Sequence, residues 1–178
     1  MKKLTLLFAI LVAVAGVLLM LHLYRRRAPS GPVVSVENSF EFAMQAPLKT
    51  VAPLFGAWEE RRWAGRHWDP QFVYPQPARD VSGEVFTVSH RHTSAVWVNT
   101  ALDLEGGHIQ YVYVIPGAQT AVIDIHLRQT GPSTTMANVV YRRTSLDPSF
   151  NDHVTEMGNH DRSSGKEWET AINDYLKK

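Results

Sequence analysis

The stretch from Glu84 to Ser145 constrains this chain most. It is a succession of β-rich runs, each alternating with period two and each closed by a tight-turn signal. Glu84–Ser89 comes first, and Ser94–Leu104 follows, alternating as Val96, Val98, Thr100, Leu102 and Leu104. Gly106-Gly107 leads into His108–Ile115 as a predicted hairpin. Pro116-Gly117 turns into Thr120–Thr130, and Gly131-Pro132 into Thr134–Ser145. In the run from Thr120, Ala121, Ile123, Ile125 and Leu127 form one face; Asp124, His126 and Arg128 form the other. Consecutive strands joined this way give an antiparallel meander with one wet face, whose oily face needs a second layer.

That layer is supplied by the C-terminus. Trp168, Ile172 and Tyr175 fall at i, i+4, i+7 and, with Ala171 and Leu176, make the apolar stripe of a terminal helix. Upstream, Asp147 as N-cap and Pro148 in the first turn open a helical pattern through Val154 and Met157. Gly158 and the polar run Asn159–Gly165 are expected to interrupt it. Ahead of the meander, Val34, Val36, Phe40 and Phe42 predict a strand over 33–42. Pro47 opens a short helix through Val51, Leu54 and Phe55 that stops at Gly56. Trp58, Trp63, Trp68, Phe72 and Tyr74, interspersed with Pro70, Pro75 and Pro77, predict short strands and loops.

The N-terminus follows different rules. Leu4–Leu23 is twenty residues broken only by Thr5, Gly16 and His22. As a helix it would be about 30 Å long, the thickness of a bilayer's hydrocarbon core. Lys2 and Lys3 flank one end, Tyr24 and Arg25-Arg26-Arg27 the other. Ala13-Val14-Ala15 resembles a signal-peptide cleavage pattern, but cleavage there would leave an apolar tail, and the triple Arg reads as a stop-transfer flank. The expectation is therefore a single-pass membrane anchor. The basic residues on its two sides nearly balance, with a lean toward a cytoplasmic domain. The chain divides into an anchor over 1–27, a Pro/Gly linker over 28–32 and a domain over 33–178.

Composition removes several function classes. A content of 44% hydrophobic and 20% charged residues is that of a folded chain. The absence of cysteine rules out disulfides, thiolate metal sites and thiol nucleophiles. The net charge of +1 conceals an asymmetry: beyond the anchor and its flanks, 13 basic side chains face 17 acidic ones, a net of −4. A mildly acidic domain without clustered Lys/Arg is not a nucleic-acid binder.

Several residue blocks together resemble one superfamily. They are Glu59–Pro75 with its three tryptophan and tyrosine anchors at Trp63, Trp68 and Tyr74, Gly83–Phe86, Val96-Trp97-Val98, Tyr141–Leu146 and the closing Trp168, Ile172, Tyr175 and Leu176. Over 33–178 the chain resembles the START-like (SRPBCC) superfamily, which includes polyketide cyclases/dehydrases, Hsp90-activator-like domains and lipid-transfer domains. The resemblance implies an α+β helix-grip fold, a curved antiparallel sheet packed around a C-terminal helix and enclosing an apolar cavity. It implies a hydrophobic or amphiphilic small-molecule partner such as a lipid, quinone or polyketide-like compound. The alternatives are a cyclase/dehydratase acting on such a ligand and a protein-interaction module of the Hsp90-activator kind.

The residues expected to line the cavity are Trp97, Tyr111, Tyr113, Ile123, Ile125, Tyr141, Trp168 and Ile172. Large aromatic side chains such as these are ordinarily core and rim residues first. Other groups read more plainly. His90 and His92 share a face of an extended segment but lack a third metal ligand. His153, Glu156 and His160 would align only if one helix persisted across Gly158. Asp124 and His126, with Asp103 and Glu105 nearby, could serve as acid and base only if their face lined the cavity, and the apolar side opposite is the natural core face. No metal site, cofactor or catalytic residue is expected, and neither a nucleophile elbow nor a phosphate-binding loop is present.

Overall fold

Period-two alternation becomes one seven-stranded sheet. Its strands are β1 (Ser35–Met44), β2 (Gln71–Tyr74), β3 (Val85–His90), β4 (Thr93–Asp103), β5 (His108–Ile115), β6 (Gln119–Gly131) and β7 (Thr134–Ser145). Every pairing is antiparallel, in the order β1-β7-β6-β5-β4-β3-β2, so the first strand closes beside the last. The structure, a computed structural model, describes residues 14–17, 20, 31–90 and 93–178. Residues 14–17 and 20 are helical; the rest of the predicted span Leu4–Leu23 lies outside the described residues, as do His92 and the side chain of His90. Among the described residues no helix is long and apolar enough to cross a membrane. The domain that follows spans Val33–Lys178.

The hairpin turns follow from backbone chemistry. Gly107 has φ 74° and Gly117 φ 73°, the left-handed region that glycine enters without a steric penalty. A side chain at Gly107 would also strike the backbone of Leu127. β4 departs from the simple alternation. Its pairing with β5 slips between Asn99 and Ala101, so Ala95, Trp97 and Asn99 point inward while Val96 is 41% exposed. Past the slip the phase reverses, and Leu102 packs against the core. The single alternating face Val96-Val98-Thr100-Leu102-Leu104 is thus two half-faces joined by a bulge, which bends the strand and curves the sheet.

The helical layer breaks inside the expected run Asn159–Gly165, though not at Gly158. Asp147 Oδ1 accepts from Ser149 N at 2.8 Å and opens a short 3₁₀ turn at Pro148–Phe150. A helix Asn151–Asp161 then runs straight through Gly158, and the chain breaks at residues 162–164 before a second helix, Gly165–Leu176. With Leu48–Val51 as α1, these are α2 and α3. Gly158 does not end α2. A Cβ there would meet Val36 and Asn38, so the missing side chain lets α2 lie directly on β1. Leu48–Val51 continues as the 3₁₀ turn Ala52–Phe55, whose Val51, Ala52, Leu54 and Phe55 are buried. The core joins these to Phe40, Phe42 and Met44 of β1 and to the inward faces of β3 to β7.

On α3, Ile172 is fully buried, and the Trp168 ring meets Phe40 and Trp63 edge-on, each at 5.5 Å between centroids. The aromatic stretch before β2 is held by its indoles: Trp63 Nε1 donates to Leu54 O at 2.7 Å and Trp68 Nε1 to Ala57 O at 2.9 Å.

Candidate functional site

Sheet, helices and the aromatic stretch do not fill the space between them. A cavity of about 410 Å³ remains, within the range of small-molecule sites. Its floor is the inward face of the sheet, with Val88 of β3, Trp97 of β4, Tyr111 and Tyr113 of β5, Ile123 and Ile125 of β6, and Tyr141 and Arg143 of β7. Its roof is Phe55, Glu60, Ala64 and Trp68 from the segment before β2, with Met157 and His160 of α2 and Trp168 of α3. His67 and His160 also line it and are exposed, which puts the mouth between the loop at 64–68 and the C-terminal half of α2.

Seven of the eight side chains predicted from sequence border this space. The exception is Ile172. It lies on the same stripe as Trp168, but the helix carries it one turn further, into packing with no exposed surface. Residues that the sequence reading did not single out complete the wall, and they bring its charges.

Arg143 is one of them. It is 4% exposed, yet its guanidinium is fully engaged: Nε and Nη2 reach Asp161 Oδ2 and Oδ1 at 2.5 and 2.7 Å, and Nη1 donates to the Tyr113 hydroxyl. The ring of Tyr141 lies 4.8 Å beneath it. Burial works against this charge, but Asp161 outweighs it and holds the Arg143 pKa above its ordinary value. The sequence carried a signal: Arg143 occupies an inward position in step with Val139 and Tyr141. Asp161 carried none, since only the end of α2 brings it there.

Glu60 is the other. It sits in the 3₁₀ turn Glu59–Arg62, anchored by its N–H to Gly56 O at 2.8 Å. Burial of the carboxyl, with the negative charge of Asp80 adding, pushes its pKa to about 8. In its protonated form this group can donate a hydrogen bond. Behind it, Glu84 has no exposed surface, and burial raises its carboxyl to about 7. The Tyr111 hydroxyl donates to Phe55 O at 3.0 Å and lies 3.3 Å from Glu84 Oε1. Trp97 Nε1 is buried with no hydrogen-bond partner among the described residues. It is an unsatisfied donor behind the cavity wall, with no surface that a guest can reach.

The other candidates lie elsewhere, apart from His160 at the cavity mouth. Asp124 and His126 are on the outer face of the sheet, between the inward-pointing Ile123, Ile125 and Leu127, and take no part in the cavity. His153, Glu156 and His160 do share one continuous helix, and all three are exposed.

No family model and no curated protein matches the sequence. Solved structures match over most of the domain. Norcoclaurine synthase from Thalictrum flavum is similar at 11% identity and TM-score 0.61, over 85% of this chain and 95% of that one. The Zhui aromatase/cyclase from Streptomyces sp. R1128 aligns at 10% identity and TM-score 0.60, over 81% of this chain and 94% of that one. The Mll3558 protein from Rhizobium loti aligns at 16% identity and TM-score 0.56, over 79% and 99%. Likeness at this level of identity speaks to fold. The chain shares a helix-grip α+β fold with these solved structures.

Proposed function

We propose that this protein binds a hydrophobic or amphiphilic small molecule in the cavity between the sheet and the C-terminal helices. The observation that carries this reading is the 410 Å³ of unfilled space bordered by Trp97, Ile123, Ile125 and Trp168. Binding draws on desolvation of the guest, about 25 cal/mol per Å² of apolar area. One polar group orients it. The carboxyl of Glu60, its pKa raised to about 8 by burial, is a hydrogen-bond donor when protonated. It favours a compact apolar body carrying a carbonyl or hydroxyl oxygen, as in a quinone, a polyketide-like ring system or a single-chain amphiphile. Among the structural neighbours, the Thalictrum norcoclaurine synthase has been solved with dopamine and hydroxybenzaldehyde, molecules of ring size.

A cyclase or dehydratase is the second reading. It requires at least two convergent polar groups in the cavity, and Glu60 and the Arg143-bound Tyr113 hydroxyl line the same one. Glu60 would exchange a proton with the substrate, and the Tyr113–Arg143 pair would stabilise a developing oxyanion. The cavity itself weighs against a protein-interaction module, which calls for a filled interior.

We also infer that Leu4–Leu23 tethers the domain to a membrane, with Arg25–Arg27 on the cytoplasmic side. A tether raises the local concentration of a membrane-borne ligand. Protease accessibility in spheroplasts and in inverted vesicles tests the side: digestion only in inverted vesicles supports the cytoplasmic placement.

The binding reading is tested by mass spectrometry of organic extracts from the purified full-length chain and from Ile125→Trp, which fills the cavity. An amphiphile recovered from the wild type and lost from the variant is the expected result. Equal recovery from both, or none from either together with no uptake of fluorescent analogues, overturns it.

A further inference from the structure

The outer face of the sheet carries a second constellation, independent of the cavity. His108 of β5 and His126 of β6 are direct cross-strand partners. Their rings stack in parallel, 4.6 Å between centroids and 4° between planes. Asp124, two residues before His126 and so on the same face, reaches both. Its Oδ1 is 2.8 Å from His108 Nε2, and its Oδ2 is 3.3 Å from His126 Nε2. One donor atom from each residue fits within a 4.8 Å span.

We propose that His108, Asp124 and His126 form a binding site for a divalent transition-metal ion, two imidazole nitrogens and a carboxylate oxygen on one face. Zn²⁺ takes such ligands at about 2.0–2.2 Å, which spaces them about 3.3 Å apart in a tetrahedron. The backbone already delivers the donors near that spacing, leaving only side-chain rotation. The strands are paired on both sides, so the platform is rigid. Two imidazoles with one carboxylate suit Zn²⁺, Ni²⁺ and Cu²⁺ over the oxygen-seeking Ca²⁺ and Mg²⁺.

The surroundings fit a cation. Gln110 Nε2 donates to Asp124 Oδ1 at 3.2 Å and fixes the carboxylate. Asp103, His108, His126, Asn138 and Glu41 are successive cross-strand partners over five strands, so a carboxylate flanks the imidazole pair at each end of the row. The His108, Asp124 and His126 side chains are 39%, 32% and 57% exposed, open enough for an ion to enter and keep water on its remaining positions. Sequence reading missed the set because Asp124 and His126 lack a third partner until β5 is laid beside β6.

The test uses full-length protein without a polyhistidine tag, titrated calorimetrically with ZnCl₂. One equivalent should bind with a Kd on the order of micromolar. His108→Ala or His126→Ala should weaken binding at least about tenfold, whereas His153→Ala, an exposed histidine on α2, should leave it unchanged. Cu²⁺ should give an electron paramagnetic resonance spectrum with two coupled imidazole nitrogens, falling to one in either single variant. If a variant fails to fold, paramagnetic broadening of the wild-type histidine resonances by Cu²⁺ decides instead. Broadening confined to His108 and His126 supports the site. Broadening centred on other histidines, variants with wild-type affinity, or no Zn²⁺ binding below millimolar concentration overturns it.

Discussion

Arg143 on the inner face of β7 and Asp161 in the last turn of α2 form a two-point ion pair whose side chains are each 5% exposed. The pair ties the cavity floor to its roof. A guanidinium so deeply placed is tolerated because Asp161 and the Tyr113 hydroxyl take up three of its nitrogens. Removing one partner leaves an uncompensated buried charge, the costly case; removing both with apolar replacements is much cheaper. Asp161→Ala should therefore lower stability by about 3–5 kcal/mol. The double replacement Arg143→Met, Asp161→Leu should recover most of the loss. Urea unfolding of the wild type, the single variant and the double variant measures both, and a double variant as unstable as the single one would show that the pair has no separable electrostatic role.

Filling the cavity should abolish uptake without unfolding the domain. Ile125 is 3% exposed and lines the cavity, so Ile125→Trp extends a larger ring into space that holds no protein atoms. Overpacking of a filled core costs about 1–3 kcal/mol, and a pre-existing void should reduce that. Binding of a fluorescent amphiphile should weaken by at least about tenfold, equivalent to about 1.4 kcal/mol. Unchanged affinity with an intact melting transition would mean that the amphiphile binds elsewhere.

Stability should fall as pH rises through neutrality. Glu60 and Glu84 go from an ordinary value of 4.5 to about 8 and about 7 in the folded chain, both chiefly through burial. Between pH 4.5 and 8 the folded protein therefore holds protons that the unfolded chain has released. More bound protons in the folded state means stability declines with pH across that window. The melting temperature should drop by several degrees from pH 5.5 to pH 8.5, and Glu60→Gln should flatten the slope. On the acid side the sign reverses for Asp124. Burial pushes its pKa up, but hydrogen bonds from His108, Gln110 and His126 outweigh this and hold it low, so its contribution is lost as pH falls through that depressed value. A Glu60→Gln profile parallel to the wild type would remove Glu60 from this account.

Gly158 should resist enlargement although it lies mid-helix. Helix propensity alone favours alanine over glycine by about 1 kcal/mol. The contact with Val36 and Asn38 opposes it, because β-branched Val36 yields little. Gly158→Val should destabilise by about 1–3 kcal/mol. A thermal shift in the stabilising direction would show that α2 can move off β1.

How much of this could be read beforehand varies with the kind of information each element carries. The ranges of β5 and β7 match the alternating runs His108–Ile115 and Thr134–Ser145 because a period-two pattern with a turn at each end is local. β4 misled because its bulge inverts the face midway while its residues keep alternating. The break after α2 falls within the expected run Asn159–Gly165 but past its first residues, because packing against β1 carries the helix through Gly158 and Asn159. Most of the cavity floor was legible, since inward positions of a meander follow from alternation once the apolar face is known. The roof was not. Glu60, Trp68 and His67 come from an irregular stretch whose course over the sheet no periodicity describes.

The chain's own order of residues determined the strands, the turns between them, the closing amphipathic helix and the apolar run at the N-terminus, all properties of neighbours within a few positions. Tertiary structure alone decided which charges become buried, which imidazoles meet a carboxylate, and that the layers close short of filling. Arg143 and Asp161 are eighteen residues apart, His108 and Asp124 sixteen. Their chemistry depends on distances through space, and these exist only after the sheet has curved and the helices have settled on it.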